Sequence, residues 1–416
     1  MNSMLLPFPG LVRWLYLDLN SYFASVEQQL CPELRGRPVA VVPVEAETAC
    51  CIAASYEAKR YGVVTGTDVH VARRLCPEIV FVPARHEHYA AFHHRIIAAV
   101  NRIVPVERVL SIDELAARLM GSECRPDRAL ELARNIKDAL RCEVGECLQS
   151  SIGLASNLLL AKIASDMQKP DGLTLLDTGD LSVCLELLAL RDIPGIGPRM
   201  ELRLHQQGIT TVKAMLALTA KQMRAIWGSI IGERYWYWLH GYDFDDSTSL
   251  QSSIGHQHVL PPKLRTHELA GAVARKLLIR AAARLRRGHL WARGLSVYLS
   301  FTPGREKKLW ECHTRIFESQ DTFTLLEVFD RMWADAPHGK PNFVGVELYD
   351  LVPEAQHTEA MLPEEAPRRR LACAMDTLQE RFGPRALYLA GMEGVWDAAP
   401  AQIAFSSIPD QRCYPL

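Results

Sequence analysis

The chain has no CxxC pair among its eleven cysteines, no low-complexity tract and no internal repeat. It also lacks a charge-free apolar run of the ~18 residues that a membrane helix needs, and its first ten residues show no basic segment followed by a long apolar one. Each absence excludes something. The closest cysteines are the adjacent Cys50 and Cys51 and the wider pair Cys142 and Cys147, so they read as reduced thiols rather than zinc ligands or disulfides. Neither a membrane span nor a secretory signal is supported, and the expected compartment is the cytoplasm. What is present is ordinary for a soluble protein: 416 residues, of which 48% are hydrophobic, a length that suggests two to four domains with real cores.

Large net charge is absent too, at -1, which on average argues against a polyanionic partner. The average conceals segregation. Between Ser253 and Ile316 thirteen lysines and arginines face three glutamates, a local excess of ten positive charges. Like charges at that density repel unless a partner neutralises them, and the excess is the footprint expected of a phosphate-backbone binder.

From Trp14 to about Leu176, strand-like runs (Val39 to Val44, Ile79 to Val82, Ser150 to Leu154) alternate with helical ones (Tyr22 to Leu30, His88 to Val104, Arg128 to Cys142), an α+β pattern. The order of elements lets the first strand lie beside the one carrying Asp113, as in a split βαβ or ferredoxin-like sheet. A helical segment, about Asp177 to Gly241, centres on RDIPGIGPRMELRLHQQGI. There Gly195 and Gly197 form a tight turn before a helix that begins near Pro198. Such a turn either joins two helices and nothing more, or presents backbone N–H groups to a phosphate as a helix-hairpin-helix. After the acidic linker YDFDDSTS, the basic segment reads as a βαββαβ module: a strand near Ile254 to Leu260, a basic helix Thr266 to Arg287, strands Leu290 to Phe301 and Lys308 to Phe317, a helix Thr324 to Ala336 and a strand Asn342 to Leu351. Beyond Val352 come a Pro/Glu-rich break, a helix containing Arg368, Arg369 and Arg370, and a strand-like RALYLAGM.

Two short motifs carry the chemistry. LYLDLNSYF (Leu15 to Phe23) and LSIDEL (Leu110 to Leu115) set Asp18, Asp113 and Glu114 at the ends of apolar runs, where a charge is costly unless it is paired or bound to a cation. Either these are strand-end surface acids or they hold metal. Two divalent cations about 3.5 to 4 Å apart activate an attacking oxygen and stabilise a leaving one in phosphoryl transfer. Hard Mg²⁺ prefers oxygen ligands, here the three acids and the backbone carbonyl of Leu19. The helix start at Ser21 to Phe23 suits a triphosphate. In ASYEAKRYGV, Tyr56 and Lys59 lie at i and i+3 on one face and can reach the same anion, and Lys169 precedes a Pro-Asp-Gly turn in AKIASDMQKPDG.

LYLDLNSYFASVEQ, ASYEAKRYGV, LSIDEL, SIGLASNLLLAKIASDMQKPDG and DIPGIGP closely resemble, in order and spacing, the motifs of Y-family translesion DNA polymerases, especially the polymerase IV branch, over roughly Leu15 to Leu351. The resemblance implies a multidomain α+β right hand: a ferredoxin-like palm (11–21 and 85–176), small fingers (22–84), a helix-hairpin-helix thumb (177–241), a linker (242–252), a βαββαβ little finger (253–352) and a C-terminal extension (353–416). It implies template-directed, low-fidelity synthesis from dNTPs on primer-template DNA, with two Mg²⁺ ions, for which Mn²⁺ substitutes, held by Asp18, Asp113, Glu114 and the Leu19 carbonyl. Tyr22, Phe23, Tyr56, Lys59 and Lys169 fall at the nucleotide, with Phe23 at the steric-gate position; the alternative for Phe23 is a core ring at a helix start. Gly195, Gly197, Arg275, Arg280, Arg284 and Arg287 are the candidate DNA contacts, and the small side chains of Cys50 to Ser55 would roof the nascent base pair.

Three departures stand out. Lys59 replaces the arginine usual in YEAR, so either phosphate grip weakens or Arg60 shares it. LAARL follows SIDE where the family commonly has an aromatic residue and another acid, as in AYLD. Leu158 stands where a lysine usually follows Asn157. The rival function is a catalytically silent DNA-binding subunit that recruits other proteins. The tail QIAFSSIPD, from Gln402, reads either as a sliding-clamp peptide or as a strand packed on the little finger.

Overall fold

The structure is a computed structural model, and it describes residues 10–43, 47, 49–244, 252–301, 308–357, 365–383, 386–392, 394, 395 and 398. These fall into two compact units, 10–244 and 252–398. The first begins with β1 (Trp14–Leu19), α1 (Tyr22–Leu30), β2 (Val39–Val42), β3 (Ala53–Ala54), α2 (Tyr56–Lys59), α3 (Val69–Leu75), β4 (Val80–Pro83) and α4 (His86–Asn101). It continues through β5 (Val106–Val109), β6 (Glu114–Arg118), α5 (Pro126–Ala139), β7 (Ser150–Ala155), α6 (Leu158–Met167) and β8 (Leu173–Leu175) to the helices α7 (Leu181–Glu186), α8 (Pro198–Gln206), α9 (Val212–Leu216), α10 (Ala220–Trp227) and α11 (Ile230–Leu239).

β1 is buried along its whole length because it is central and covered on both faces. The sheet order is β5-β6-β1-β7-β8, with β1 antiparallel to β6 and β7. Strand periodicity sends Leu15, Leu17 and Leu19 into one core with α4 and α5 residues such as Ile96 and Ile136. Trp14 and Tyr16 enter a second core, shared with Leu160 and Ile163 of α6 and with Leu204, Met215 and Leu239 of the α7–α11 helices. Asp18, next in that alternate series, therefore faces α6. A smaller sheet, β3-β2-β4, closes over a core of small side chains that includes Ala40, Cys51, Ala54 and Ala72.

The second unit comprises β9 (Ser253–Val259), α12 (His267–Arg287), β10 (Leu290–Phe301), β11 (Lys308–Ser319), α13 (Thr322–Ala334), β12 (Pro341–Pro353) and α14 (Glu365–Phe382). Its antiparallel sheet runs β11-β10-β12-β9, and α12 and α13 supply Val273, Leu277, Leu325 and Phe329 to its core. Residues beyond β12 are part of that core: Met392, Val395 and Ala398 are buried in it. The strand-like RALYLAGM is not a strand. Among its described residues the chain bends and makes a 3₁₀ turn at Ala390–Met392, and the Leu387 carbonyl accepts from Gln379 Nε2 of α14 at 2.8 Å, so it folds back on a helix instead of meeting a sheet edge.

Candidate active site

Antiparallel register sets Asp18 directly opposite Glu114, and the Leu19 N–H donates to the Asp113 carbonyl at 2.8 Å. The three acids thus lie at one end of the β1/β6 pair, Asp113 in the bend that precedes β6. Ser111 Oγ donates to Asp113 Oδ1 at 2.5 Å and lies 3.4 Å from Glu114 Oε2. From α6 and the segment after it come two lysines. Lys162 Nζ is 2.5 Å from Glu114 Oε1 and 3.9 Å from Asp18 Oδ2, and Lys169 Nζ is 2.7 Å from both Asp18 Oδ2 and Asp166 Oδ1. The side chains consequently turn toward the lysines. Among the described residues no group of three or more His, Cys, Asp or Glu side chains converges as a metal cage.

Burial dominates the electrostatics. It pushes the Asp18 carboxyl up to about 6, against the pull of Lys169 and Lys162, and raises Asp113 despite the hydrogen bond from Ser111. Lys169 is held protonated by Asp18 and Asp166, which outweigh its own desolvation. One buried and two half-buried carboxylates, offering only oxygen donors and neutralised by two ammonium groups, are a donor set that fits hard divalent cations.

The neighbouring nucleotide candidates are arranged by α1 and α2. Ser21 takes a left-handed conformation (φ 50°) at the turn into α1, which starts the helix immediately after the acid-bearing strand. Tyr22 is buried, its hydroxyl donating to the Tyr89 carbonyl at 2.7 Å. Phe23 is half-buried and stacked on the Tyr89 ring, with centroids 4.2 Å apart and an interplanar angle of 13°. Tyr89 is fixed in turn by donating to the buried Glu27 at 2.7 Å, and Glu27 also pairs with Arg85. The Ser55 hydroxyl caps α2, and Lys59 Nζ lies 4.3 Å over the Tyr56 ring. Burial and the charge of Lys169 both lower the Lys59 pKa while Asp18 opposes them, so these three groups share one field.

Sequence reasoning missed Lys162, Asp166 and Tyr16. Part of the signal was available in AKIASDMQK: residues 162 and 166 are i and i+4 on one helix face, while Lys169 lies just past the helix end. It also left the departures open, and the structure gives them physical form. Ala116, where the family pattern has an aromatic residue, is the register partner of Tyr16, whose buried ring lies on the same face and whose hydroxyl interacts with Glu114. Arg118, where the pattern has an acid, lies 3.5 Å from Asp243. Asn157 caps α6 by accepting from the Leu160 N–H and donates to the Trp238 and Tyr242 carbonyls, while Leu158 packs on the core shared with the C-terminal helices of the unit.

Gly195 has φ +89°, and an added Cβ would strike the Tyr235 hydroxyl, which donates to the Pro194 carbonyl at 2.7 Å. Gly197 caps α8 with open space around it. The basic helix differs from the expectation of an open phosphate strip. Arg275 pairs with Asp330 and Arg287 with Glu380, Arg284 is half-buried beside His256, and Arg280 is also engaged. Their acidic partners come from α13 and α14, far along the chain. Arg305 and Lys307, counted in the same basic excess, lie outside the described residues.

Acids at a central strand end, an adjacent cationic cluster and a βαββαβ second unit are the equipment of a template-directed nucleotidyl transferase. Residues 17–166 match the impB/mucB/samB family and residues 251–361 its C-terminal domain. The chain is 36% identical over 386 residues to DNA polymerase IV of Moorella thermoacetica, covering 90% of this chain and 95% of that protein. It is 33% identical over 388 residues to DNA polymerase IV of Pelotomaculum thermopropionicum, covering 90% and 94%. A Y-family DNA polymerase chimera of Dbh and Dpo4 shares its fold with a TM-score of 0.69 at 24% identity, over 82% of this chain and 99% of the chimera. An insertion ternary complex of Dbh DNA polymerase gives 0.57 over the same shares. The chain belongs to the impB/mucB/samB family of Y-family, polymerase IV-like enzymes. It is a translesion DNA-directed DNA polymerase, of a family of nucleotidyltransferases that use divalent metals.

Proposed function

We propose that Asp18, Asp113 and Glu114, with the Leu19 carbonyl, hold two Mg²⁺ ions, for which Mn²⁺ substitutes, during transfer of a nucleotide from dNTP to a primer 3′-OH. The observation that carries this reading is the pairing of Asp18 with Glu114 across β1 and β6, with the half-buried Asp113 adjoining. Bound there, the ions would neutralise charge on the attacking and leaving oxygens. The protein's own part is to position charge. Lys162 and Lys169 supply cations that exchange carboxylate partners for phosphate. Tyr56, Lys59 and Lys169 grip the triphosphate, Tyr22 and Phe23 underlie the sugar, and Phe23, braced by Tyr89, rejects a 2′-OH by lack of room. The small residues of β3 and its flanks, Cys50 to Ser55, form a permissive roof.

In this reading the divisions are palm 11–21 and 85–176, fingers 22–84, thumb 177–241 and little finger from 253. DNA contact begins at the turn of Gly195 and Gly197, where Gly197 has open space beside its Cα. In the second unit it moves from α12, whose arginines are engaged internally, toward the exposed side of β11, where Glu311, His313 and Arg315 lie between Leu309 and Phe317 and His313 is 3.6 Å from Glu311. A cytoplasmic setting belongs to the same reading. The tail from Gln402 to Asp410 lies outside the described residues; its Gln, aliphatic and aromatic pattern supports a sliding-clamp contact.

Primer extension with Mg²⁺ tests the proposal. Wild-type protein should extend, and Asp113→Ala should lose at least about 10³-fold in rate, roughly 4 kcal/mol of transition-state stabilisation, with primer-template affinity retained. Extension by Asp113→Ala within tenfold of wild type would refute the assignment.

A further inference from the structure

Among the described residues, α14 uses one of its two faces within its unit. Inward, Ala372 is buried, Asp376 receives Arg286 through two contacts of 2.6 and 2.9 Å, and Glu380 pairs with Arg287 at 3.1 Å. Arg369 lies over the Trp291 ring and pairs with Glu354 at 2.8 Å. Outward, Leu371, Leu378 and Phe382 are 51%, 41% and 61% exposed. Their spacing of i, i+7 and i+11 places them within about 40° of one another on a helix turning 100° per residue. The bond from Gln379 to the Leu387 carbonyl brings the exposed Leu387 and Tyr388 back to the same helix. A single exposed leucine means little, but an aligned stripe of this kind marks an interaction surface.

The charges around the stripe select its occupant. Asp376 and Glu380, the acids among the helix's described side chains, both pair with arginines of α12 on the side away from the stripe. Arg370 is exposed beside Leu371, and Arg381 lies 5.2 Å over the Phe382 ring. The rim is therefore basic at both ends. We propose that this face of α14 docks an acidic amphipathic helix of a protein partner, with apolar side chains on Leu371, Leu378 and Phe382 and carboxylates on Arg370 and Arg381. A second copy of α14 fits poorly, because parallel or antiparallel pairing sets arginine against arginine. Nucleic acid would leave the Leu and Phe stripe unused.

The test uses the full chain and a labelled synthetic helix roughly five turns long, carrying a leucine stripe flanked by glutamates; a second peptide replaces the glutamates with lysines. Fluorescence anisotropy should show the acidic peptide binding at least about tenfold more tightly than the basic one. Leu378→Glu should weaken the acidic peptide by a similar factor with primer extension and thermal unfolding unchanged, and a combined Arg370→Glu, Arg381→Glu variant should reverse the peptide preference. Absent binding, equal binding of the two peptides, or a preference that survives the charge reversal would overturn the proposal. So would concentration-dependent dimerisation abolished by Leu378→Glu, which would make a second copy the occupant.

Discussion

Asp18 shows how a buried acid is held at a cost. Its folded pKa of about 6 lies above the ordinary 3.8, so the folded chain binds a proton more tightly than the unfolded chain does. Ionised Asp18 therefore lowers stability fully above about pH 6, and that destabilisation disappears as pH falls toward 4. Asp18→Asn should then raise stability at pH 8 by about 1–3 kcal/mol, the gain shrinking toward nothing near pH 4, which thermal unfolding at the two pH values will read. A variant no more stable than wild type at pH 8 would contradict the burial argument. The acid itself was legible in the sequence, since a charge ending an apolar run needs a partner. Its present partners were less so: Lys169 appeared as a phosphate ligand only, and Lys162 did not appear, because a lysine on a helix is usually solvated and nothing local says which strand end it faces.

At the scale of elements, β1 and β6 solve a packing problem together. The loss of an aromatic side chain at Ala116 left the surroundings of Glu114 open in the sequence; register pairing with Tyr16 explains it, because the ring comes from the opposite strand. Tyr16→Ala should destabilise the chain by about 3–5 kcal/mol in urea unfolding. Ala116→Tyr alone should cost about 1–3 kcal/mol by overpacking, and the double variant should recover part of the loss; strictly additive effects would show that the two positions do not share one space. α12 teaches the opposite lesson about legibility. Its helical span, expected as Thr266 to Arg287, is found as His267–Arg287. The direction of its charges was hidden, since Asp330, Asp376 and Glu380 lie 55, 90 and 93 residues from their arginines and no local pattern links them.

For the whole molecule, the segment beyond β12 is where sequence reasoning was least informed. Read as an extension after a Pro/Glu-rich break, it completes the core of the second unit through Met392, Val395 and Ala398. It also satisfies two buried cations: Lys276 donates to the Ala398 carbonyl at 2.5 Å, and Arg286 is clamped by Asp376. Truncation after His357 should therefore destabilise the second unit by several kcal/mol, because breaking a buried pair leaves an uncompensated charge costing about 3–5 kcal/mol. Thermal unfolding of the truncated chain unchanged from the full chain would contradict this. The first unit was more legible because its candidate site residues are concentrated in short motifs, whereas the second unit depends on long-range pairs.

The central claim, that Asp18, Asp113 and Glu114 form one metal centre, is tested most directly by counting bound Mn²⁺ with electron paramagnetic resonance, in the presence of primer-template DNA and a non-hydrolysable dNTP. Wild-type protein should bind two ions per chain, with affinity falling as pH drops below about 6 as Asp18 takes up its proton. Asp18→Asn and Asp113→Asn should each lose at least one ion. Two ions bound with unchanged affinity in both variants would contradict the account.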